Sequence, residues 1–453
     1  MSRRFWFFLV IIFSVVISTA CSSSQSSDDG KKEISIAFRD NGGTNPPGKL
    51  WLTEAKEEFE KENSDVTVKL VPINANEGDF FAKLALMVKS PETAPDVITE
   101  DSFMINSDAS AGYLEPLDER LNAWEDWSNF EEVTKQGVTA ADGKIYAVPY
   151  STDVQGIWYN KQIFKEVGLP VPWQPKNWDD LMNAAKTIKD KAADDVIPTF
   201  LYVGKATGEA TSMRTFQTLL SGTGESLYDS DEKKWVVESP AILDVLTFVD
   251  EIYSNDLGPE LSLALNGQVS SLLATQYMPE NKLGFVLDGS WVSSNWREQG
   301  NHPWPDALDT YEFVATPTQN GQDPGYTSMS GGWTLAIPKN SDEKDLAWEF
   351  IKLATNKKHT LSYTNKSFDM TVRTDVAKEE EYLNKPMSQY EEAAEILKYT
   401  NYRPSVDKYP GVSTQIQDAV EAVATGSMTP KEAMETFASG MERIVGAENT
   451  IRR

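Results

Sequence analysis

Apolar positions along the first third of the chain change period in a regular order. Alternation or short apolar runs over Glu33–Phe38, Val66–Val71 and Asp96–Thr99 predict strands. Between them, Leu50, Ala55 and Phe59 share one face of a helix over 50–62, and Phe80–Val88 reads as a second helix. This βαβαβ order predicts a parallel sheet with its ligand-contacting loops at the strand ends. A pair of extended runs follows, Ile145–Tyr150 and Gly156–Tyr159, ahead of a helix over Lys161–Val167. Ser151–Val154 interrupts that pair with polar residues, as a crossover between two domains would; a solvated strand end is the plainer reading.

The pattern then restarts. Asn177 caps a helix to Ala192 with Asp179 and Asp180 in its first turn, Ile197–Val203 is a strand, and Ser212–Leu220 is helical. Tyr228–Val237 reads as a hairpin whose acidic turn, Asp229 to Glu232, lacks the glycine of a calcium loop, and Ser239-Pro240 opens a helix to about Tyr253. Leu283–Leu287 and Tyr311–Ala315 are strands, Ser330-Gly-Gly-Trp333 leads into another over Thr334–Pro338, and Ser341 caps a helix over Glu343–Thr355. Of two final helices, one follows Ser413 and stops at Gly426, and the other opens with Thr429-Pro-Lys-Glu432, a capping box.

A chain of 453 residues is too long for one core. Its net charge of −27 argues against nucleic acid, whose phosphates need a basic footprint. The N-terminus changes the picture more. Arg3 and Arg4 precede an apolar run from Phe5 to Ile17, then small residues, then Cys21, the single cysteine. At about 13 residues the run falls short of the ~20 that span a bilayer. Residues 1–20 therefore read as a signal peptide, and Cys21 after Ala20 resembles a lipobox whose cysteine is acylated, although Ser18 stands where that motif prefers Leu or Val. Residues 21–32 are a polar tether. The expected location is the outer face of a bacterial cell membrane.

With Cys21 as anchor there is no disulfide or thiolate chemistry, and His302 and His359 form no metal-binding or triad pattern. No cofactor or metal is expected. Gly43-Thr-Asn-Pro-Pro-Gly48-Lys49 matches a phosphate loop, but Leu50 replaces the magnesium-binding hydroxyl and two prolines remove backbone donors, so it reads as a loop at a strand end.

Four segments, GKIYAVPYSTDVQGIWYNKQIF, LGFVLDGSW, GGWTLAIPKNSDEKDLAWEFIKLAT and YRPSVDKYPGVSTQIQDAVEAVATGSMTPKEAM, occur in an order that resembles the extracellular solute-binding proteins of sugar ABC importers, and Tyr402-Arg-Pro404 with Tyr409-Pro-Gly-Val-Ser413 is similar to the trehalose/maltose-type branch. The resemblance implies an α/β, two-lobe periplasmic-binding-protein-like (type II) fold with three hinge crossings, near Ser151–Val154, at Thr316-Pro317 and just after Thr355. Lobe 1 would hold 33–152 plus 317–357, and lobe 2 153–316 plus 358–453. It also implies a monomer that closes on a sugar and passes it to membrane permease subunits. Sugar recognition needs aromatic platforms and planar hydrogen-bonding groups. Trp291 and Trp333 match the family's stacking positions; Asp101, Asp153 and Arg403 match polar ones; Asn41, Tyr150, Trp296 and Gly331 are further candidates. Each has a plainer role open to it, in the core for the tryptophans and as a cap, strand end or surface ion pair for the charged residues. A surface carbohydrate-acting hydrolase and a binding protein for a non-sugar solute remain alternatives.

Overall fold

The computed structural model describes residues 31–40, 46–75, 77–384 and 390–453. Cys21 and Asn41 lie outside the described residues. Two sheets organise the chain. The first runs in the order Val66–Asn74, Lys32–Asp40, Val97–Asp101, Trp333–Ala336, Ala147–Pro149. Its first three strands are parallel, as the βαβαβ pattern predicts, and Trp333–Ala336 runs antiparallel to both of its neighbours. The second sheet has the order Tyr311–Val314, Gln155–Asn160, Leu283–Gly289, Ile197–Phe200. Separate apolar cores lie against the two sheets, one containing Ile36, Trp51, Phe59, Val148 and Phe350, another Ile157, Leu181, Val245, Phe285 and Val420.

The chain leaves the first sheet at Pro149 and enters the second at Gln155. Between them Thr152 pairs with Met370 in an isolated bridge, and the Gln155 N–H donates to Ser328 Oγ at 3.0 Å. The strands Thr316–Pro317 and Tyr326–Ser330 with Thr400–Tyr402 make a small third sheet beside this passage. That hairpin is tied to the second sheet's side: Gln319 N donates to Gly222 O at 2.8 Å, and Ser221 and Thr327 share a hydroxyl bond of 2.8 Å. Helix Lys357–Ser367 belongs with the first sheet's helices, since Lys366 pairs with Glu54 on helix Pro47–Glu62 at 3.0 Å. Arg373, fully buried, fixes the following turn to that side through Asp126 at 2.6 Å.

Local sequence signals explain several boundaries. Asn177 Oδ1 accepts from Asp180 N at 2.9 Å, and Thr429 and Glu432 form the reciprocal box at the start of Pro430–Val445. Other expectations shift. Helix Pro47–Glu62 begins with proline at its first position, so Gly48 and Lys49 lie in the first helical turn rather than in a loop. Ser341 does not cap helix Lys344–Ala354; its hydroxyl donates to Asp96 at 2.8 Å and accepts from Glu343 N at 3.3 Å. The helix expected after Ser413 starts at Tyr409-Pro410, which leaves Ser413 buried inside it. Ala210–Gln217, which starts two residues before the expected 212–220 helix and overlaps it, is wound as a π-helix, with Thr218 N reaching back to Met213 O.

Candidate functional site

A cleft of about 490 Å³ opens between the two sheets, and the ends of their strands supply its walls. On the first side Arg39 and Asp101 sit at or beside the C-terminal ends of parallel strands, where an open α/β sheet presents its loops. Trp333 starts the antiparallel strand directly opposite Asp101 in register. Its ring lies parallel to Phe81, 6.2 Å away at 14°, with the Arg39 guanidinium 5.9 Å from its centroid. On the second side strand Leu283–Gly289 delivers Asp288 and then Trp291. A Cβ at Gly289 would lie 2.0 Å from the Trp291 ring, so the bare backbone there makes room for the indole.

Asp153, Arg403, Tyr363 and Asp369 complete the cleft wall around the passage between the sheets. Arg403 is almost wholly buried and joins the two walls. Its guanidinium donates to Asp101 Oδ1 at 2.6 Å and to Glu209 Oε2 at 3.2 Å, and lies 4.5 Å from the Phe103 ring centroid. Asp101 meanwhile accepts from Phe103 N at 3.3 Å, capping helix Ser102–Ser110, so one carboxylate orders a helix and an arginine together. Burial alone would lower the arginine's pKa, but the two carboxylates outweigh it and hold the charge. Gly331 N donates to Asp153 Oδ1 at 3.2 Å, and any Cβ at Gly331 would stand 2.4 Å from the Arg403 fork. Burial, with the nearby Asp369 charge second, pushes the Asp153 carboxyl up to about 6. Asp369 in turn accepts from Tyr363 OH at 2.6 Å.

The cleft therefore brings together Asp101, Tyr150, Asp153, Trp291, Trp333 and Arg403 from the sequence candidates. Tyr150 is 6% exposed and packs 4.6 Å from Trp51, so it presents an edge of an aromatic cluster rather than a free platform. Gly331 acts from beneath, as the residue that lets Arg403 and Asp153 close up. Trp296 is not a cleft-lining residue: it is 1% exposed, donates Nε1 to Ala274 O at 2.8 Å and packs against Trp158 in a further core of the second sheet, with Tyr311 and Phe313, behind the cleft wall. Both residues belong to the short 3₁₀ helix Ser290–Trp296, in which five positions at about three residues per turn rotate a side chain by roughly 240°, so the two indoles leave the helix about 120° apart, Trp291 to the cleft and Trp296 to the interior.

Arg39, Glu209, Arg214, Asp288 and Asp369 also line the cleft and were not among the sequence candidates. The strand-end rule could have found Arg39 and Asp288. Nothing local in the sequence marks Glu209, Arg214 or Asp369, which arrive from distant helices and turns.

A wide cleft with aromatic and planar polar walls is a ligand-capture geometry, and comparison with known proteins agrees. Residues 42–360 match the model of the bacterial extracellular solute-binding protein family. The maltodextrin-binding protein MdxE of Bacillus subtilis is 24% identical over 433 residues, covering 92% of this chain and 90% of that protein. A maltooligosaccharide ABC transporter solute-binding lipoprotein of Streptococcus pneumoniae is 24% identical over 310 residues, 67% of this chain and 64% of its own length. The crystal structure of an ABC transporter solute-binding protein from Thermotoga lettingae with α-D-tagatose superposes with a TM-score of 0.78 at 24% identity, covering 92% of this chain and 100% of that one. These neighbours share the two-lobe α/β architecture seen here, and the family's members are binding proteins rather than enzymes. By the match over residues 42–360, the chain belongs to the bacterial extracellular solute-binding protein family.

Proposed function

We propose that this protein is the substrate-binding lipoprotein of an ABC importer, which captures an oligosaccharide in the cleft by hinge closure and hands it to the membrane permease. The observation that carries this reading is the pair Trp291 and Trp333, delivered to one cleft from two different sheets and surrounded by Asp101, Asp153 and Asp288. A sugar's apolar ring face and its rim of hydroxyls find complements in those two groups of side chains. The relatives named for maltodextrin and maltooligosaccharide point the same way. Anchoring through an acylated Cys21 and the absence of hydrolytic activity are parts of the same proposal.

Lobe 1 is then 33–149 with 333–383 and Tyr390, and lobe 2 is 155–330 with 393–453. This moves two expected crossings. The hairpin 316–330 bonds to Ser221 and Gly222, which favours a second crossing at 331–332 rather than at Thr316-Pro317. Helix Lys357–Ser367 and Arg373 bond to Glu54 and Asp126, and Tyr390 still donates to Thr364 O at 3.1 Å while Ala393 and Ile396 join a core of the second sheet, which favours a third crossing within helix Tyr390–Leu397 rather than after Thr355. The test is a thermal-shift and tryptophan-fluorescence screen over glucans, galactosides, mannans and xylans, with phosphate, metal ions and amino acids as controls. A matching oligosaccharide raises Tm because it binds the native state alone, and incubation releases no reducing ends. A shift with a control solute and none with any glycan refutes the sugar reading.

A further inference from the structure

Trp291 does not stand alone in the cleft wall; a cation is stacked against it. The Arg214 guanidinium lies 5.0 Å from the Trp291 ring centroid and 4.7 Å from that of Tyr202. Its Nη1 pairs with Asp288 Oδ1 at 2.9 Å. Asp288 is itself fixed, accepting from Tyr202 OH at 2.6 Å and from Gly289 N at 2.7 Å. Tyr202 is fully buried, and the side chains of Arg214 and Asp288 are 14% and 5% exposed. The stack of phenol, guanidinium and indole thus runs from the interior of the second lobe outward to the cleft. The wide turn of Ala210–Gln217 supplies Arg214 to this stack, and π-turns of this kind recur at functional sites.

The chemistry of each member suits the arrangement. A guanidinium is planar and weakly hydrated, so it stacks on two rings while its edge still binds a carboxylate, which an ammonium cannot do. A cation held against one aromatic face contributes most when water is excluded, as here.

We propose that Arg214 is a positioning residue, which clamps the Trp291 ring from the lobe interior so that the indole is pre-oriented as a binding platform. This rests on the sugar reading above for its ligand but not for its geometry. Ordering the ring before the ligand arrives removes part of the entropy that binding would otherwise cost.

Two measurements test it. The near-UV circular dichroism difference between wild type and Trp291→Phe isolates the signal of Trp291 without any ligand. In an Arg214→Lys background, where the charge opposite Asp288 is kept but the plane is lost, that difference collapses to less than half. An Arg214→Met/Asp288→Asn pair, which removes both charges, gives the same result in a protein with no buried unpaired carboxylate. A full-sized difference signal in both backgrounds overturns the proposal. The second measurement is a calorimetric double-mutant cycle with the tightest-binding glycan of the screen. Arg214→Lys weakens binding about tenfold in wild type and not at all in Trp291→Ala. An equal loss in both backgrounds makes Arg214 a direct ligand contact and overturns the positioning role, as does no loss in either. Failure of every glycan to bind counts against the sugar reading, while the dichroism still decides the clamp.

Discussion

Replacing Arg403 with leucine removes the charge that joins two walls of the cleft. The guanidinium is 4% exposed and its partners Asp101 and Glu209 are 9% and 8% exposed, so the change strands two carboxylates where water cannot compensate. Breaking a buried ion pair by deleting one partner costs about 3–5 kcal/mol. The lower end applies, because Asp101 keeps Phe103 N as a donor and Glu209 keeps the hydroxyls of Tyr409 and Ser413. Urea denaturation followed by fluorescence should therefore show Arg403→Leu less stable by about 3 kcal/mol. Arg403→Lys should recover part of that, since an ammonium keeps the charge but lacks the fork that reaches both carboxylates. Neutralising the whole set in Arg403→Leu/Asp101→Asn/Glu209→Gln should restore most of the stability. A loss below about 1 kcal/mol for the single variant would show that the two carboxylates are not stranded and that the triad is not the joint described here.

Three further outcomes follow from the cleft and its surroundings. Gly331→Ala should disturb Arg403, because the new methyl carbon would stand 2.4 Å from its Nη2; the variant should lose glycan affinity and stability together, and unchanged values would refute the packing. Asp153 titrates near 6, so affinity for a neutral glycan should fall as pH drops through 6, when the carboxylate that accepts hydroxyl donors becomes protonated; Asp153→Asn should bind with no inflection there, and a persisting one would assign the titration elsewhere. Burial first, and the neighbouring Asp108 second, raise the Glu100 carboxyl well above its usual range. The native state thus holds a proton the unfolded chain releases, and stability falls as pH rises above about 4.5. Glu100→Gln should raise Tm at pH 7 with a gain that shrinks towards pH 4.5, and a pH-independent change would contradict this.

What the chain made legible was local. The period-2 and period-3.6 runs placed the parallel strands Lys32–Asp40, Val66–Asn74 and Val97–Asp101, and the capping signals at Asn177, Ser239 and Thr429 are all occupied as read. Ser151–Val154 interrupts two apolar strands because the chain leaves one sheet there and enters another. Long-range assembly was not legible. Glu209 and Arg214 lie in a stretch of mostly small and polar residues, 205–217, where no local pattern marks them, and only the fold aims them at Arg403 and Asp288. Trp296 was a candidate by residue type alone, and only the fold shows that its indole packs into a core with Trp158. Ser341 misled because Asp96, far away in sequence, claims its hydroxyl.

The central claim is that a glycan is held between Trp291 and Trp333. Isothermal titration calorimetry of wild type, Trp291→Ala and Trp333→Ala with the best glycan of the screen tests it directly. Each variant should remain folded by circular dichroism and lose at least about 1.4 kcal/mol, a factor of ten, in binding free energy. Unchanged affinity in both would place the ligand elsewhere and contradict the account.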